Sequence, residues 1–288
     1  MKILLTTRGA PHDEVALAFG AYIAQSADEP VTVLSVAEHA SKRPEAEAAL
    51  EQARELLQGI AVTAKVRMGH ASREIVAEAE EGKYNLVVVG ENPNPNLVVR
   101  LLDGSDTIRV VEHAPCPVIV AKRKTGPVVR ILVCDSGAEG PLAKLGPVAP
   151  AQPTSVPSLL ARFTAQLADL LRGEEEVTVL HVMSQICAAP GIQDSDLQAE
   201  AEELIEGHTP EGEVLEQDIH ALEHPGVRVW PKIRHGLVVD EILAEAQEGR
   251  YDLVVIGAHR GAGWQRILLD DIAHKILVQM DRPVLVVR

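Results

Sequence analysis

Short apolar runs alternate with longer amphipathic stretches along the chain, and the alternation runs through twice. Runs rich in Val, Ile and Leu fall at about 2–7, 31–37, 61–67, 85–90 and 117–121, then again at about 129–135, 176–183, 226–233, 252–257 and 283–287. Between them apolar residues recur at helical spacing: Ile75, Val76 and Ala79 make one face, and Ile242, Leu243 and Ala246 repeat it. Strand-length runs separated by helical crossovers predict a parallel sheet. Leu86 to Val89 and Leu253 to Ile256 are unbroken apolar runs, which suit central strands buried on both faces. Gly82 and Gly249 stand where those helical stretches stop, the position of a left-handed C-cap.

The alternation is a duplication. RMGHASREIVAEAEEGKYNLVVVG, from Arg67 to Gly90, lies on RHGLVVDEILAEAQEGRYDLVVIG, from Arg234 to Gly257, with more than half of the positions identical and no gap. Outside that stretch Val31-Thr32-Val33-Leu34 matches Val177-Thr178-Val179-Leu180, and Pro117-Val118-Ile119-Val120 matches Pro283-Val284-Leu285-Val286. The expected organisation is a first domain over 1–124 and a second over 125–288, the latter enlarged by insertions at about 137–157 and 194–223. The first insertion is rich in Pro, Gly and Ala and follows the second copy's first strand, on the side where open α/β sheets bind ligands. Proline opens the last strand of each copy, at Pro117 and Pro283, and fits an edge. Both edges are strongly apolar and open to pairing, so the two halves are expected to dock through them as an intrachain pseudo-dimer.

Composition narrows the function. The 288 residues carry a net charge of −15, and the seven aromatic residues are scattered, which excludes the basic, aromatic-lined surface of a nucleic-acid binder. No stretch approaches the ~20 apolar residues of a membrane span, and a cytoplasmic, soluble protein is expected. Cys116, Cys134 and Cys187 are far apart and form no CxxC pair, so neither a disulfide frame nor a zinc site is indicated.

Candidate chemistry is sparse. His220 and His224 stand four apart but enclose no HExxH glutamate, and GxSxG, Walker A and GxGxxG patterns are absent. Cys116 lies between two prolines with no evident base. Asp270-Asp271 reads as a helix-start pair matched to the helix dipole. What remains is Gly90 and Gly257, each closing a central strand. A glycine there either packs the turn tightly or lets backbone amides approach a phosphate at the next helix N-terminus.

With LVVVG and LVVIG ending the fourth strands, Gly104-Ser105 through Pro117-Val118, and Gly257-Ala258-His259-Arg260 through Arg282-Pro283-Val284, the chain resembles the tandem members of the universal stress protein family. The resemblance implies two tandem doubly wound five-stranded parallel-sheet α/β domains of the adenine nucleotide alpha hydrolase type. It also implies an ATP pattern of Gly, two residues, Gly, nine residues and Gly-Ser or Gly-Thr, with an Asp after the first strand and a Val ending the second. In the first copy Gly90, Gly104, Ser105 and Val36 match, Pro93 replaces the second glycine, and Arg8 stands in place of the ribose Asp. In the second copy Gly257 and Val182 match and Asp135 could take the ribose role, but Arg260 replaces the second glycine and Asp270-Asp271 replaces Gly-Ser. Two carboxylates there would repel a triphosphate.

The expected function is therefore a noncatalytic, stress-response module with degraded adenine-nucleotide sites, the first less degraded than the second. Two alternatives stand beside it. One is an ATP- or AMP-binding switch or slow ATPase, working with magnesium mainly in the first domain. The other is a ligand-free scaffold that docks an unknown protein partner.

Overall fold

A computed structural model describes residues 1–9, 13–27, 31–91, 106–122, 126–134, 159–171, 175–183, 200–258 and 271–287. Ten strands and nine α-helices are defined among them: β1 (Ile3–Thr6), α1 (Glu14–Ala27), β2 (Val31–Ala37), α2 (Arg43–Leu56), β3 (Val62–Met68), α3 (Ala71–Gly82), β4 (Leu86–Gly90), α4 (Asp106–His113), β5 (Val118–Ala121), β6 (Arg130–Cys134), α5 (Leu159–Leu170), β7 (Glu176–Met183), α6 (Ala201–Glu206), α7 (Pro210–Leu222), β8 (Arg228–His235), α8 (Val238–Glu248), β9 (Leu253–Gly257), α9 (Asp271–Gln279) and β10 (Val284–Val287). Every expected strand is present, within about two residues of its expected place.

The chain divides into two compact units. The first takes in the described residues up to Pro127 together with α9 and most of β10. Its strands run in the order β3-β2-β1-β4-β5-β10. From β1 the chain steps to β2 and β3 on one side, then returns to β4 and β5 on the other. Right-handed crossovers then put the helices of the two directions on opposite faces. Accordingly α1 packs on α2, and α3 packs on α4. Two-sided cover explains why Ile3, Leu4, Leu5, Leu86, Val87 and Val88 are at most 1% exposed. β5 lies parallel to β4, and β10 pairs with it antiparallel, Val284, Leu285 and Val286 opposite Val120, Ile119 and Val118. This is the expected pairing of last strands, which begin one residue after Pro117 and Pro283.

The second unit carries β9-β6-β7-β8, all parallel, with α5 to α8. Among the described residues β8 is paired only with β7, and Pro231 sits within it, as an edge allows. The acidic stretch at about 194–223 falls between β7 and β8. Its residues 210–222 form α7, which packs on both β7 and β8 and so does the crossover work that α2 does between β2 and β3. The 137–157 segment lies outside the described residues.

The glycines expected to adopt a left-handed conformation do not. The left-handed residues are their successors, Lys83 with φ of 51° and Arg250 with φ of 52°, while Gly249 is right-handed at φ −74°. The glycines are needed for space: a Cβ on Gly82 would run into the Tyr84 ring, and one on Gly249 into the Tyr251 ring.

Those tyrosines belong to an ion network present in both copies. Glu78, with a side chain only 4% exposed, accepts from Lys65 Nζ at 2.5 Å, Arg67 Nη1 at 3.1 Å and Tyr84 Oη at 3.0 Å. Glu245, 1% exposed, accepts from Lys232 Nζ at 2.7 Å, Arg234 Nη1 at 2.8 Å and Tyr251 Oη at 2.9 Å. Burial works against the charge of both glutamates, but the hydrogen bonds from Lys, Arg and Tyr outweigh it and hold both carboxyls below their ordinary value. The network ties the third strand of each copy to the helix that follows, and a buried charge held by three donors satisfies the usual condition for its survival.

Candidate functional site

In the first unit the strand order reverses between β1 and β4, and their C-terminal ends frame the crevice where ligands of open α/β sheets bind. Arg8 follows β1 and folds back on Asp13. The backbone N–H of Arg8 donates to Asp13 Oδ2 at 2.5 Å, Nε to Oδ2 at 3.2 Å and Nη2 to Oδ1 at 3.0 Å. Asp13 immediately precedes α1, and its carbonyl accepts the first helical bond, from Leu17 N at 2.9 Å. Its side chain is 3% exposed, whereas that of Arg8 is 47% exposed.

Gly90 closes β4 and is buried. A Cβ there would collide with Asp13 Oδ1, so the glycine makes room for the carboxylate. Thr107 Oγ1 in α4 donates to the Gly90 carbonyl at 3.1 Å. One strand over, Lys122 is only 2% exposed and donates from Nζ to Glu91 Oε1 at 2.6 Å and to the Leu277 carbonyl at 2.7 Å. Val36 lies near the end of β2, half-buried, in register with Arg67.

A second polar group adjoins Arg8. His70, just before α3, has Nδ1 at 3.4 Å from Asp106 Oδ1 and 3.1 Å from Ser72 Oγ. Both contacts converge on one ring nitrogen, so no relay from hydroxyl through imidazole to carboxylate is formed. Burial opposes the Arg8 charge, while the hydrogen bonds and charge of Asp13, followed by the charge of Asp106, prevail and raise its pKa. The guanidinium is thus held charged, with its Nε and Nη2 edge against Asp13.

The second unit differs at the matching places. Gly257 is exposed, and among the described residues a Cβ on it would meet only Leu160 Cδ1 at 3.5 Å, an ordinary contact. Val182 is half-buried and in register with Arg234, the same relation that Val36 has to Arg67. Leu237, 57% exposed, holds the place of His70, and Val239 that of Ser72. Gly104, Ser105, Asp135 and Arg260, with Pro93 and Asp270, lie outside the described residues. Asp271 is the first residue of α9.

Among the sequence-expected residues, then, the structure brings Arg8 and Gly90 to one place. It adds Asp13, Asp106 and His70, which the sequence reading did not pick out. Asp13 carried one sequence signal, an acidic residue directly before the helical apolar run that begins at Val15.

Elsewhere the remaining candidates resolve simply. His220 Nδ1 lies 3.1 Å from Glu223 Oε2 at an exposed helix end, and no cluster of three or more metal-ligating side chains occurs among the described residues. Cys116 and Cys134 are not joined in disulfides, and burial pushes the Cys116 thiol up to about 12. No described helix is long and apolar enough to cross a membrane.

Parallel strands wound in both directions from β1, with helices on both faces and a crevice at the ends of β1 and β4, define a doubly wound α/β class. The chain belongs to the universal stress protein family, which it matches over residues 1–122 and 156–288. It is similar in fold to a universal stress protein from Archaeoglobus fulgidus DSM 4304, at a TM-score of 0.64 and 20% identity over 100% of this chain and 96% of that one. It is likewise similar to a protein of Pseudomonas aeruginosa PAO1, described as functionally unknown, at a TM-score of 0.67 and 18% identity over 99% of this chain and 92% of the other. Universal stress protein MJ0531 of Methanocaldococcus jannaschii is 32% identical over 76 residues, which is 26% of this chain and 45% of that relative's length.

Proposed function

We propose that the chain is a noncatalytic, cytoplasmic stress-response module in which the first domain, 1–124, keeps an altered adenine-nucleotide site and the second, 125–288, has a more degraded one. The observation that carries this reading is the Arg8 guanidinium at the ends of β1 and β4, oriented by Asp13 beside Gly90. A fixed guanidinium suits a phosphate, which it meets edge-on through two donors. Val36 lines the same end of the sheet, as an adenine contact would require, and Gly104 and Ser105 would close the phosphate turn. In the second domain the corresponding set is Gly257, Asp135, Val182 and Arg260, with the exposed apolar Leu237 where His70 stands in the first.

Thermal-shift and calorimetric titration with ATP and AMP, with and without magnesium, tests the reading. Ligand that binds only the folded chain stabilises it by RT ln(1 + [L]/Kd), about 2.7 kcal/mol at a hundredfold excess over Kd. Gly104→Asp should abolish the shift and Gly257→Asp should leave it. Absence of any shift at millimolar nucleotide overturns the nucleotide reading and leaves the ligand-free scaffold. Equal loss from both substitutions overturns the ranking of the two sites.

A further inference from the structure

The place that an anion would take on Arg8 is already filled. Both oxygens of Asp13 lie against the Nε and Nη2 edge of the guanidinium, 3.2 and 3.0 Å away, the forked geometry by which arginine grips a phosphate. Oδ1 also lies where a Cβ on Gly90 would be, so the carboxylate rests on the C-terminal end of β4, the side where ligands of open α/β sheets bind. A purely structural role would have Asp13 cap α1, which it immediately precedes, by accepting from the helix's first amides. It does not: among the described residues its carboxylate accepts only from Arg8. Nor is the pair sealed away, because the Arg8 side chain is 47% exposed and within reach of solvent.

We infer that Asp13 is a built-in competitor for the anionic ligand of this site, its carboxylate standing in on Arg8 for a phosphoryl group that must displace it. The inference rests on the reading of the first domain as an anion-binding nucleotide site. Binding is then an exchange. The incoming phosphate takes the Nε and Nη2 edge, and Asp13 releases it, because two anions on one guanidinium edge repel. The exchange favours ligands with two or more negative charges on adjacent phosphates over singly charged ones. It also makes the site weak by design, occupied only when such ligands are abundant.

The test is isothermal titration of the full chain with ADP and with sodium pyrophosphate, comparing wild type, Asp13→Asn and Arg8→Gln. Asparagine keeps the shape and the acceptor for the Arg8 backbone N–H but removes the charge. Asp13→Asn should bind both probes at least ten times more tightly than wild type, and Arg8→Gln should lose pyrophosphate binding. Asp13→Ser, a good helix-start residue, gives the same readout should the asparagine variant fold poorly. If wild type binds ADP and the neutral variants bind it equally or more weakly, the competitor role is overturned while the nucleotide reading stands. If neither wild type nor the neutral variants bind either probe, both fall together.

Discussion

Replacing Glu245 with glutamine removes one charge from a place that cannot easily hold the alternative. The Glu245 side chain is 1% exposed and receives three donors. Glutamine retains an acceptor for Tyr251 Oη, but its amide then points N–H groups at Lys232 Nζ and Arg234 Nη1, which carry only donors. Two charge-assisted hydrogen bonds are lost, each worth about 1.5–3 kcal/mol. The full sum does not apply, because Lys232 is 45% exposed and is rehydrated, and Arg234 keeps Glu241 at 2.7 Å and Glu248 at 2.8 Å. A net loss of about 2 kcal/mol is expected. Two-unit chains need not unfold in one step, so the assay should resolve regions. Amide exchange of β7 and β8 read by mass spectrometry should accelerate about thirtyfold where protection reflects unfolding of the second unit. The effect carries a pH signature. Because Glu245 has a lowered carboxyl pKa in the folded chain, the unfolded state binds more protons in that range. The stabilisation is complete above the usual value of 4.5 and disappears as pH falls through the lower folded value. The difference between wild type and Glu245→Gln should therefore shrink in acid. A loss below about 0.5 kcal/mol at pH 7, or one that grows in acid, would refute the claim that the network is net stabilising.

Other consequences are as direct. Gly90→Ala drives a methyl into Asp13 Oδ1 and should cost about 1–3 kcal/mol in chemical unfolding, whereas Gly257→Ala, which among the described residues meets Leu160 at 3.5 Å, should stay within about 0.5 kcal/mol. Gly82→Ala should destabilise the wild type despite alanine's higher helix propensity, because the Tyr84 ring occupies the space. In a Tyr84→Ala background the same change should stabilise, and a double-mutant cycle reads the sign. Cys116, with its thiol pushed up to about 12, should react with iodoacetamide at pH 8 far more slowly in the folded chain than in urea. Equal rates by peptide mass spectrometry would contradict its partial burial.

The sheet was legible in the sequence because its signal is redundant. Unbroken runs such as Leu86 to Val89 say both that a strand exists and that it is covered on two sides, and the second copy states it again. The misreadings arose where one residue type serves two purposes. Gly82 and Gly249 looked like left-handed caps, yet they are glycines because a tyrosine two residues later folds back over them, a contact that no local pattern encodes. The stretch 210–222 lies between two parallel strands, a place that requires a crossover helix. At the site, Gly90 was visible through its position at a strand end, and Arg8 through the family resemblance, as the residue in place of the ribose Asp. Asp13 gave only the signal of an acidic residue directly before an apolar helical run, because its pairing with Arg8 is a side-chain contact that no local pattern encodes.

The two copies also serve as controls for one another. They share one backbone plan, so residues alike in both halves answer to demands of the fold, and residues that differ are free of those demands. The Lys-Arg-Glu-Tyr network passes the first test in full: Lys65, Arg67, Glu78 and Tyr84 recur as Lys232, Arg234, Glu245 and Tyr251 with the same contacts. It lies along the third strand and the face of the next helix. The differences gather at the C-terminal ends of the strands and the helix starts beside them, where His70 and Ser72 give way to Leu237 and Val239, and where buried Gly90 gives way to exposed Gly257. A half that needs no anion can let those positions turn apolar at no cost to its sheet. In the first copy those positions hold Arg8 paired with Asp13 and a glycine with no room for a methyl, none of which belongs to the network that both copies share.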